Sequence, residues 1–239
     1  QRSDAEAAAA AYTRLLRRID GSKIHAGISV KLTQLGLAID RELCCQNLTE
    51  ILVTARELNN FVRIDMEGSE HTQSTLDLFR QCWERFGRHV GIVVQAYLYR
   101  TEEDVKALSN LGCNIRLCKG AYMEPAEIAF PRKRDVDRNF CRLVEIMLAG
   151  EGYSAIATHD EKMISFARRI IAEKNIPDSK YEFQMLYGIR RERQYRLCRE
   201  GDKVRIYVPF GTQWAPYFIR RLAERPANLL FVIRSIFRK

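Results

Sequence analysis

With 239 residues, the chain is long enough for one large domain, and its 46% hydrophobic content excludes a disordered protein. A formal net charge of +9 favours anionic ligands or surfaces, but the basic residues are spread along the chain, so we expect no nucleic-acid partner. The seven cysteines form no C-x-x-C pair, and their odd number excludes a closed disulfide framework, which favours a reducing compartment.

The predicted elements alternate between short β-rich runs and longer amphipathic segments. An Ala-rich helix over 5–18 comes first. Strands are then predicted at 27–33, 61–66, 91–97, 114–118, 154–158, 181–186 and 204–208, and helices near 40–59, 72–86, 101–110, 134–149, 160–173, 190–199 and 213–224. Asp40, Thr72 and Thr101 are predicted to cap the N-termini of their helices.

This alternation predicts an α/β fold with a parallel sheet. Seven strands with regular βα spacing favour a (β/α)₈ barrel of the TIM type whose first strand is missing and is expected just upstream. An open, doubly wound sheet is the alternative, although no G-x-G-x-x-G motif follows a strand. We predict a single domain over residues 1–239, in which a helix over 1–20 precedes the first visible strand.

Polar or ionisable side chains follow every predicted strand, where a barrel carries its active site. Several of them also have a structural interpretation: Lys31 and Asp65 as a buried pair, His159 as a hydrogen-bonded structural histidine, Lys119 in a turn and Gln95 as a cap on backbone groups. In a barrel these side chains would share one cationic pocket. They are Lys31, Asp65, Gln95, Arg116, Lys119, Thr158, His159, Gln184 and Tyr207.

A polar stripe marks the last predicted helix. Tyr217, Arg220, Arg221 and Glu224 have the i, i+3, i+4, i+7 spacing of one helical face. Two adjacent guanidiniums suit a small planar anion such as a carboxylate. The alternative is a solvated face held by i,i+4 ion pairs.

The sequence contains no evident nucleophile–base pair and predicts no metal site. A reaction in this pocket would therefore need an organic cofactor.

Eight segments together resemble the proline dehydrogenase barrel, which stands alone in some bacteria and forms part of proline utilization A. The resemblance covers roughly residues 24–238 and is strongest to the stand-alone bacterial form. The segments are ISVKLT (28–33), VRIDME (62–67), VQAY (94–97), RLCKGAY (116–122), ATHD (157–160), EFQML (182–186), VRIYVP (204–209) and YFIRRLAE (217–224).

The resemblance implies FAD-dependent oxidation of L-proline to 1-pyrroline-5-carboxylate, by hydride transfer to flavin N5 and onward transfer of electrons to a quinone. It implies that Arg220 and Arg221 hold the proline carboxylate and that Glu224 pairs with Lys31. The residues implied around the substrate are Lys31, Asp65, Leu186, Tyr207, Tyr217, Arg220, Arg221 and Glu224.

For the flavin, the resemblance implies that Arg116 and Gln95 lie near the N5 edge. The full set implied to hold FAD is Gln95, Arg116, Lys119, Gly120, Ala121, Tyr122, Thr158, His159 and Gln184. The chain departs from the family pattern at Asp160, where Asn is frequent, and the change adds a negative charge beside the flavin.

Two other functions stay open at this point: a phosphate-binding barrel aldolase or isomerase that uses Lys31 or Lys119, and a basic module without catalysis. No apolar run reaches the ~18 residues of a membrane-spanning helix, and no signal peptide is visible. We therefore expect a cytoplasmic protein, with peripheral contact at the inner membrane as an option that the basic surface permits.

Overall fold

A computed structural model, which describes residues 1–211, contains seven strands that form one parallel sheet. The strands follow chain order from β1 to β7, and every neighbouring pair is parallel. Their bounds are β1 Ile28–Val30, β2 Val62–Ile64, β3 Val90–Gln95, β4 Asn114–Cys118, β5 Tyr153–Ala157, β6 Tyr181–Leu186 and β7 Val204–Tyr207. The predicted parallel sheet is confirmed.

A helix precedes β1, and one helix follows each strand from β1 to β6. The helices are α1 Arg2–Gly21, α2 Arg41–Glu57, α3 Ser69–Phe86, α4 Thr101–Asn110, α5 Lys133–Ala149, α6 Glu161–Glu173 and α7 Arg191–Arg199. The helix predicted at 213–224 lies outside the described residues, and so does part of the predicted 1–239 domain.

The sheet curls around a common interior. Arg116 on β4 donates to the hydroxyl of Ser29 on β1 over 3.2 Å. The Tyr207 hydroxyl on β7 donates to Asp65, directly after β2, over 3.3 Å. Strands this far apart in the sheet order meet only because the sheet closes on itself, so the predicted (β/α) barrel fold is confirmed, with β1 and β7 as the sheet's edges among residues 1–211.

The apolar core lies between the sheet and the helices, outside the barrel interior. On β4, Ile115 and Leu117 are buried while Arg116 and Cys118 are only partly buried. Phe140 on α5 and Phe183 on β6 are fully buried in the same core, and each such side chain contributes roughly 1.5–3 kcal/mol. Barrel interiors are usually filled by branched apolar residues, so the polar inward face of this sheet indicates a ligand site.

Strands β1 and β2 are shorter than predicted because their ends turn out of the sheet toward each other. The backbone N–H of Thr33 donates to Glu67 over 3.0 Å, and the Thr33 hydroxyl donates to the same carboxylate over 2.5 Å. These bonds join the two turns that follow β1 and β2.

The predicted N-cap at Asp40 is confirmed, since its carboxylate accepts from the Glu42 N–H over 2.8 Å. The predicted cap at Thr72 is wrong, because α3 begins at Ser69 and Thr72 is buried inside it. Ser69 donates through its N–H and its hydroxyl to Glu124, over 2.8 and 2.6 Å. This distant carboxylate replaces the local cap.

The predicted cap at Thr101 is also wrong. The helix α4 begins at Thr101 itself, and the residue in the N-cap position is Arg100. The Thr101 hydroxyl donates instead to the carbonyl of Gln95 over 2.6 Å, so it ties the helix to the end of β3.

Several thiols are buried in the apolar core. Burial raises the pKa of Cys44, Cys82 and Cys113 to about 12. Cys198 on α7 is exposed. None of the helices in residues 1–211 is both long and apolar enough to cross a membrane.

Candidate active site

A cavity of about 1230 Å³ occupies the interior of the curled sheet, bounded on one side by α1. It exceeds the roughly 300–1,000 Å³ of ordinary small-molecule sites. Part of its polar lining comes from residues on the strands or directly after them: Ser29, Lys31, Arg63, Asp65, Asn114, Arg116, Tyr153, Glu182, Gln184, Arg205 and Tyr207.

Arg116 lies at the centre of this lining and is held in three directions. Its Nε donates to Gln184 Oε1 over 2.5 Å, its Nη1 to Asp65 Oδ1 over 2.9 Å and its Nη2 to Ser29 Oγ over 3.2 Å. The guanidinium also lies 5.4 Å from the centre of the Tyr207 ring. The planar fork of donors is thus fixed in one orientation.

Asp65 is shared by two cations. Besides Arg116, its carboxylate accepts from the Tyr207 hydroxyl and lies 3.6 Å from Lys31 Nζ. The side chains of Asp65 and Arg116 are each 12% exposed, so water screens this group weakly. We call Lys31, Asp65, Arg116 and Tyr207 the interior cluster; its net charge of +1 attracts an anionic group.

Behind Gln184 lies a carboxylate that the sequence analysis missed. Glu182 accepts from the Gln184 amide over 2.5 Å and from Arg205 Nε over 2.8 and 3.0 Å. Burial alone would raise the pKa of Glu182, but hydrogen bonds from Arg205 and Gln184 and the charge of Arg205 outweigh it and hold the pKa below its usual range. Glu182 is therefore an ionised acceptor at neutral pH.

Arg63 forms the floor of the cavity. It is only 2% exposed, and it donates to the carbonyls of Asn114 over 2.7 Å and Ile92 over 3.1 Å. A Cβ on Gly91 would lie 2.6 Å from Arg63 Nη1. Glycine at this position lets the guanidinium pass beside β3, so this arginine of β2 links to the backbones of β3 and β4.

At the rim, where the strands end, a second ionic group surrounds Lys119. Lys119 donates to Asp137 and, over 2.8 Å, to Asp160, and Lys133 also pairs with Asp137. Burial opposes ionisation of Asp160, but the hydrogen bond and charge of Lys119 lower its pKa to about 2. We call Lys119, Lys133, Asp137 and Asp160 the rim cluster; its charges sum to zero.

The turn after β4 depends on Gly120. Its φ of +110° is rarely adopted by L residues, and a Cβ there would lie 2.3 Å from the Tyr97 ring. Ala121 and Tyr122 follow in the loop and are exposed. The turn therefore brings backbone groups close against an aromatic face.

Gln95 is 3% exposed and donates through its side chain to the Glu67 carbonyl over 2.8 Å. Gln95 therefore caps a backbone group, which is the structural role considered for it in the sequence analysis.

His159 also makes a hydrogen bond of the kind expected for a structural histidine. Its Nε2 accepts from the Leu186 N–H over 2.9 Å. The Thr158 hydroxyl accepts from the Asp160 N–H over 3.1 Å. Leu186 is paired in register with Tyr207, across β6 and β7. These residues fix the strand ends around the rim.

Of the predicted site residues, Lys31, Asp65, Arg116, Gln184 and Tyr207 line one cavity. The others that are described lie at the strand ends around it: Gln95, Lys119, Gly120, Ala121, Tyr122, Thr158, His159 and Leu186. Tyr217, Arg220, Arg221 and Glu224 lie outside the described residues. The individual roles in binding substrate and flavin stay predictions.

Sequence reasoning missed Ser29, Glu182 and Asp137. Ser29 and Glu182 each stand two residues before a predicted site residue, Lys31 or Gln184, and strand periodicity places both on the inward face. Asp137 comes from α5, and no local pattern connects a helix residue with the end of a strand.

Comparison with known proteins gives a consistent result. The sequence model of the family described as proline dehydrogenase matches residues 1–234. Proline dehydrogenase 1 of Bacillus subtilis is 46% identical over 226 residues, which cover 95% of this chain and 74% of that protein. The proline dehydrogenase of Deinococcus radiodurans is 41% identical over 229 residues, covering 94% and 74%.

Solved structures share the fold. Proline utilization A of Bdellovibrio bacteriovorus, inactivated by N-propargylglycine, matches with a TM-score of 0.86 at 24% identity. A variant of proline utilization A from Bradyrhizobium japonicum matches with a TM-score of 0.82 at 22% identity. The matches cover 93% and 92% of this chain but only 28% and 26% of those longer chains.

Proposed function

This chain belongs to the proline dehydrogenase family, and from that premise we propose that it oxidises L-proline to 1-pyrroline-5-carboxylate with FAD as bound electron acceptor. The observation that carries the proposal is the interior cluster, in which Arg116 and Lys31 outnumber the carboxylate of Asp65 inside the barrel. A surplus of fixed positive charge in a weakly screened cavity suits an anionic substrate beside an anionic cofactor.

The residues present fit a flavin dinucleotide. Buried amides at Gln95 and Gln184 and the guanidinium of Arg116 supply the donors and acceptors that a flavin ring edge requires. The glycine turn at Gly120, where a Cβ would meet the Tyr97 ring, permits close approach of backbone N–H groups to a ligand. Lys119 supports the pyrophosphate in this proposal, although it already has two carboxylate partners.

The reaction removes one hydride from proline C5 and one proton from the ring nitrogen, so that a C=N bond forms. Bound FAD supplies the two-electron acceptor. A secondary ammonium must lose its proton first, and the positive charge of Lys31 and Arg116 favours the neutral amine. Arg220 and Arg221, by family resemblance, hold the proline carboxylate and so orient the ring.

In the same proposal, Tyr207 and Leu186 pack against the proline ring, together with Tyr217. Asp65 supports the arrangement because it holds both Arg116 and Tyr207. Glu224 would compete with Asp65 for Lys31, so closure over substrate would redistribute one ion pair.

The ion pairs disfavour a Schiff-base aldolase. Such an enzyme needs a neutral lysine amine as nucleophile. Lys31 Nζ lies 3.6 Å from Asp65 and Lys119 pairs with two carboxylates, so both side chains are already engaged in ion pairs.

We further propose a quinone as the onward electron acceptor and a cytoplasmic protein that touches the inner membrane peripherally. The family membership and the net charge of +9 support this proposal. Reduction of a water-soluble quinone by the proline-reduced protein would test the acceptor, and co-sedimentation with anionic vesicles, compared with neutral ones, would test the contact.

The deciding experiment is an anaerobic absorbance spectrum of the purified protein before and after addition of L-proline. Flavin bands that bleach with L-proline, but not with D-proline, are the expected result. Bands that persist would overturn proline as substrate, and a protein that takes up no added FAD would overturn the cofactor.

The carboxylate clamp has its own test in Arg220→Met. We expect the variant to retain flavin while the KM for proline rises by about 10-fold to 100-fold, because one arm of a charge-assisted contact is lost. An unchanged KM would remove Arg220 from the substrate site.

A further inference from the structure

Gln184 lies between two groups of opposite hydrogen-bonding character. Its Oε1 accepts from Arg116 Nε and its Nε2 donates to Glu182 Oε1, each over 2.5 Å. A guanidinium can only donate and a carboxylate can only accept. These two neighbours therefore allow the amide of Gln184 a single orientation.

Glu182 is itself fixed. Arg205 Nε donates to both of its oxygens, and the Tyr153 hydroxyl donates to Oε2 over 3.3 Å. Glu182 and Gln184 are 5% and 4% exposed, so bulk water does not supply substitute hydrogen bonds. The carboxylate stays ionised at neutral pH, because its hydrogen bonds from Arg205 and Gln184 outweigh its burial.

We propose that Glu182 is a positioning residue of the active site, which orients the Gln184 amide so that Arg116 is held against Asp65. The sequence of contacts runs from Glu182 through Gln184 and Arg116 to Asp65, and each step pairs a donor with an acceptor. Reversal of the amide would set its NH₂ group against the Nε–H of Arg116. The guanidinium would then lose one of its three fixed contacts.

This inference rests on the proposed function in one respect, that Arg116 and Gln184 contact the flavin. A different role for Glu182 is that of a simple counterion for Arg205, in which case the amide orientation would not matter. The two roles predict different results for variants in which the amide and the carboxylate exchange places.

The experiment compares the unaltered protein with Glu182→Gln, Gln184→Glu and the double exchange. Glu182→Gln removes the acceptor-only neighbour, and Gln184→Glu places two carboxylates side by side. In the double exchange, the amide introduced at position 182 accepts from Arg205 and donates to the carboxylate introduced at position 184, which accepts from Arg116. Every donor regains an acceptor, and the negative charge moves from position 182 to position 184.

The readouts are the dissociation constant of FAD, from fluorescence titration of flavin-free protein, and kcat and KM for proline. We expect each single variant to bind FAD roughly 10-fold to 100-fold more weakly, because a buried polar contact is left unmade. We expect the double exchange to recover most of that loss. The melting temperature of each variant measures the purely structural part.

Two results would overturn the inference: FAD affinity of Glu182→Gln close to that of the unaltered protein, or a double exchange no better than the weaker single variant. If Glu182→Gln does not fold, the comparison of Gln184→Glu with the double exchange distinguishes the same two roles. Failure of the unaltered protein to bind FAD would overturn the proposed function and this inference together, whereas equal FAD binding in all four proteins would overturn the inference alone.

Discussion

The interior cluster and the rim cluster contain similar groups and use them differently. In the interior, Lys31 and Arg116 face one carboxylate, Asp65, and the side chains of Arg116 and Asp65 are 12% exposed. At the rim, two lysines face two aspartates, and the side chain of Lys133 is 73% exposed. The interior keeps an unbalanced charge around a pair whose side chains are 12% exposed, whereas the rim neutralises its charges among side chains that are 19–73% exposed.

The two clusters also differ in the elements that supply their side chains. The interior cluster comes from β4, β7 and the residues that directly follow β1 and β2, so its side chains converge only because the sheet curls. The rim cluster comes from the turn after β4 and from the starts of two helices, α5 and α6. We therefore expect substitutions in the interior to affect binding and chemistry strongly, and substitutions at the rim to adjust them.

The largest effect is expected for Asp65→Asn. The change leaves Lys31 and Arg116 facing each other without a countercharge, and breaking a buried pair costs about 3–5 kcal/mol. We expect kcat/KM for proline to fall at least about 100-fold, with a lower melting temperature. Asp137→Asn is the matched rim control, and equal losses in the two variants would refute the distinction between the clusters.

An intermediate effect is expected for Arg116→Lys, which keeps the charge and removes the fork of donors. A single ammonium cannot reach Gln184, Asp65 and Ser29 together. We expect FAD affinity to fall about 10-fold and flavin reduction by proline to slow. Arg116→Met removes the charge as well; if both variants behave alike, the geometry of the fork matters and its charge does not.

A small effect of opposite sign is expected for Asp160→Asn. Asparagine caps a helix as well as aspartate does, so α6 keeps its N-cap while the rim cluster gains a net positive charge. We expect FAD to bind about two-fold to five-fold more tightly. Riboflavin, which has no phosphate, is the control ligand, and an equal gain for riboflavin would exclude an electrostatic effect on the pyrophosphate.

The smallest effect concerns acid stability. Asp160 has a folded-state pKa of about 2 against an ordinary value of 3.8, so its ionised form stabilises the folded protein above pH 4, and this contribution is lost as the pH falls toward 2. Surface ion pairs contribute less than about 1 kcal/mol. The melting temperatures of the parent and Asp160→Asn should converge as the pH falls from 5 toward 2; a difference that grows in acid would contradict this assignment.

The fold was largely predictable because strand periodicity and βα spacing are local signals. Strands β4 and β6 begin and end at the predicted residues. The wrong caps at Thr72 and Thr101 have different causes. The start of α3 is capped by Glu124, 55 residues away along the chain, whereas the Thr101 hydroxyl is occupied by the carbonyl of Gln95. Local propensity contains no information about such partners.

The site was predictable in part for the same reason. The sequence identified Lys31, Asp65 and Arg116, because a barrel directs side chains on its strands and at the strand ends into one pocket. The contribution of Asp137 depends on how α5 packs beside β4, which no sequence period encodes. Glu182 is different, since its two-residue spacing from Gln184 was visible and simply carried no chemical signal by itself.

The buried thiols have a practical consequence for experiments on this molecule. Because Cys44, Cys82 and Cys113 hold their protons far above neutral pH, they react poorly with alkylating reagents. Cys198 on α7 is exposed, so brief treatment with a maleimide dye should label it preferentially. Energy transfer between that dye and a bound flavin would then follow cofactor uptake in real time without any substitution in the barrel.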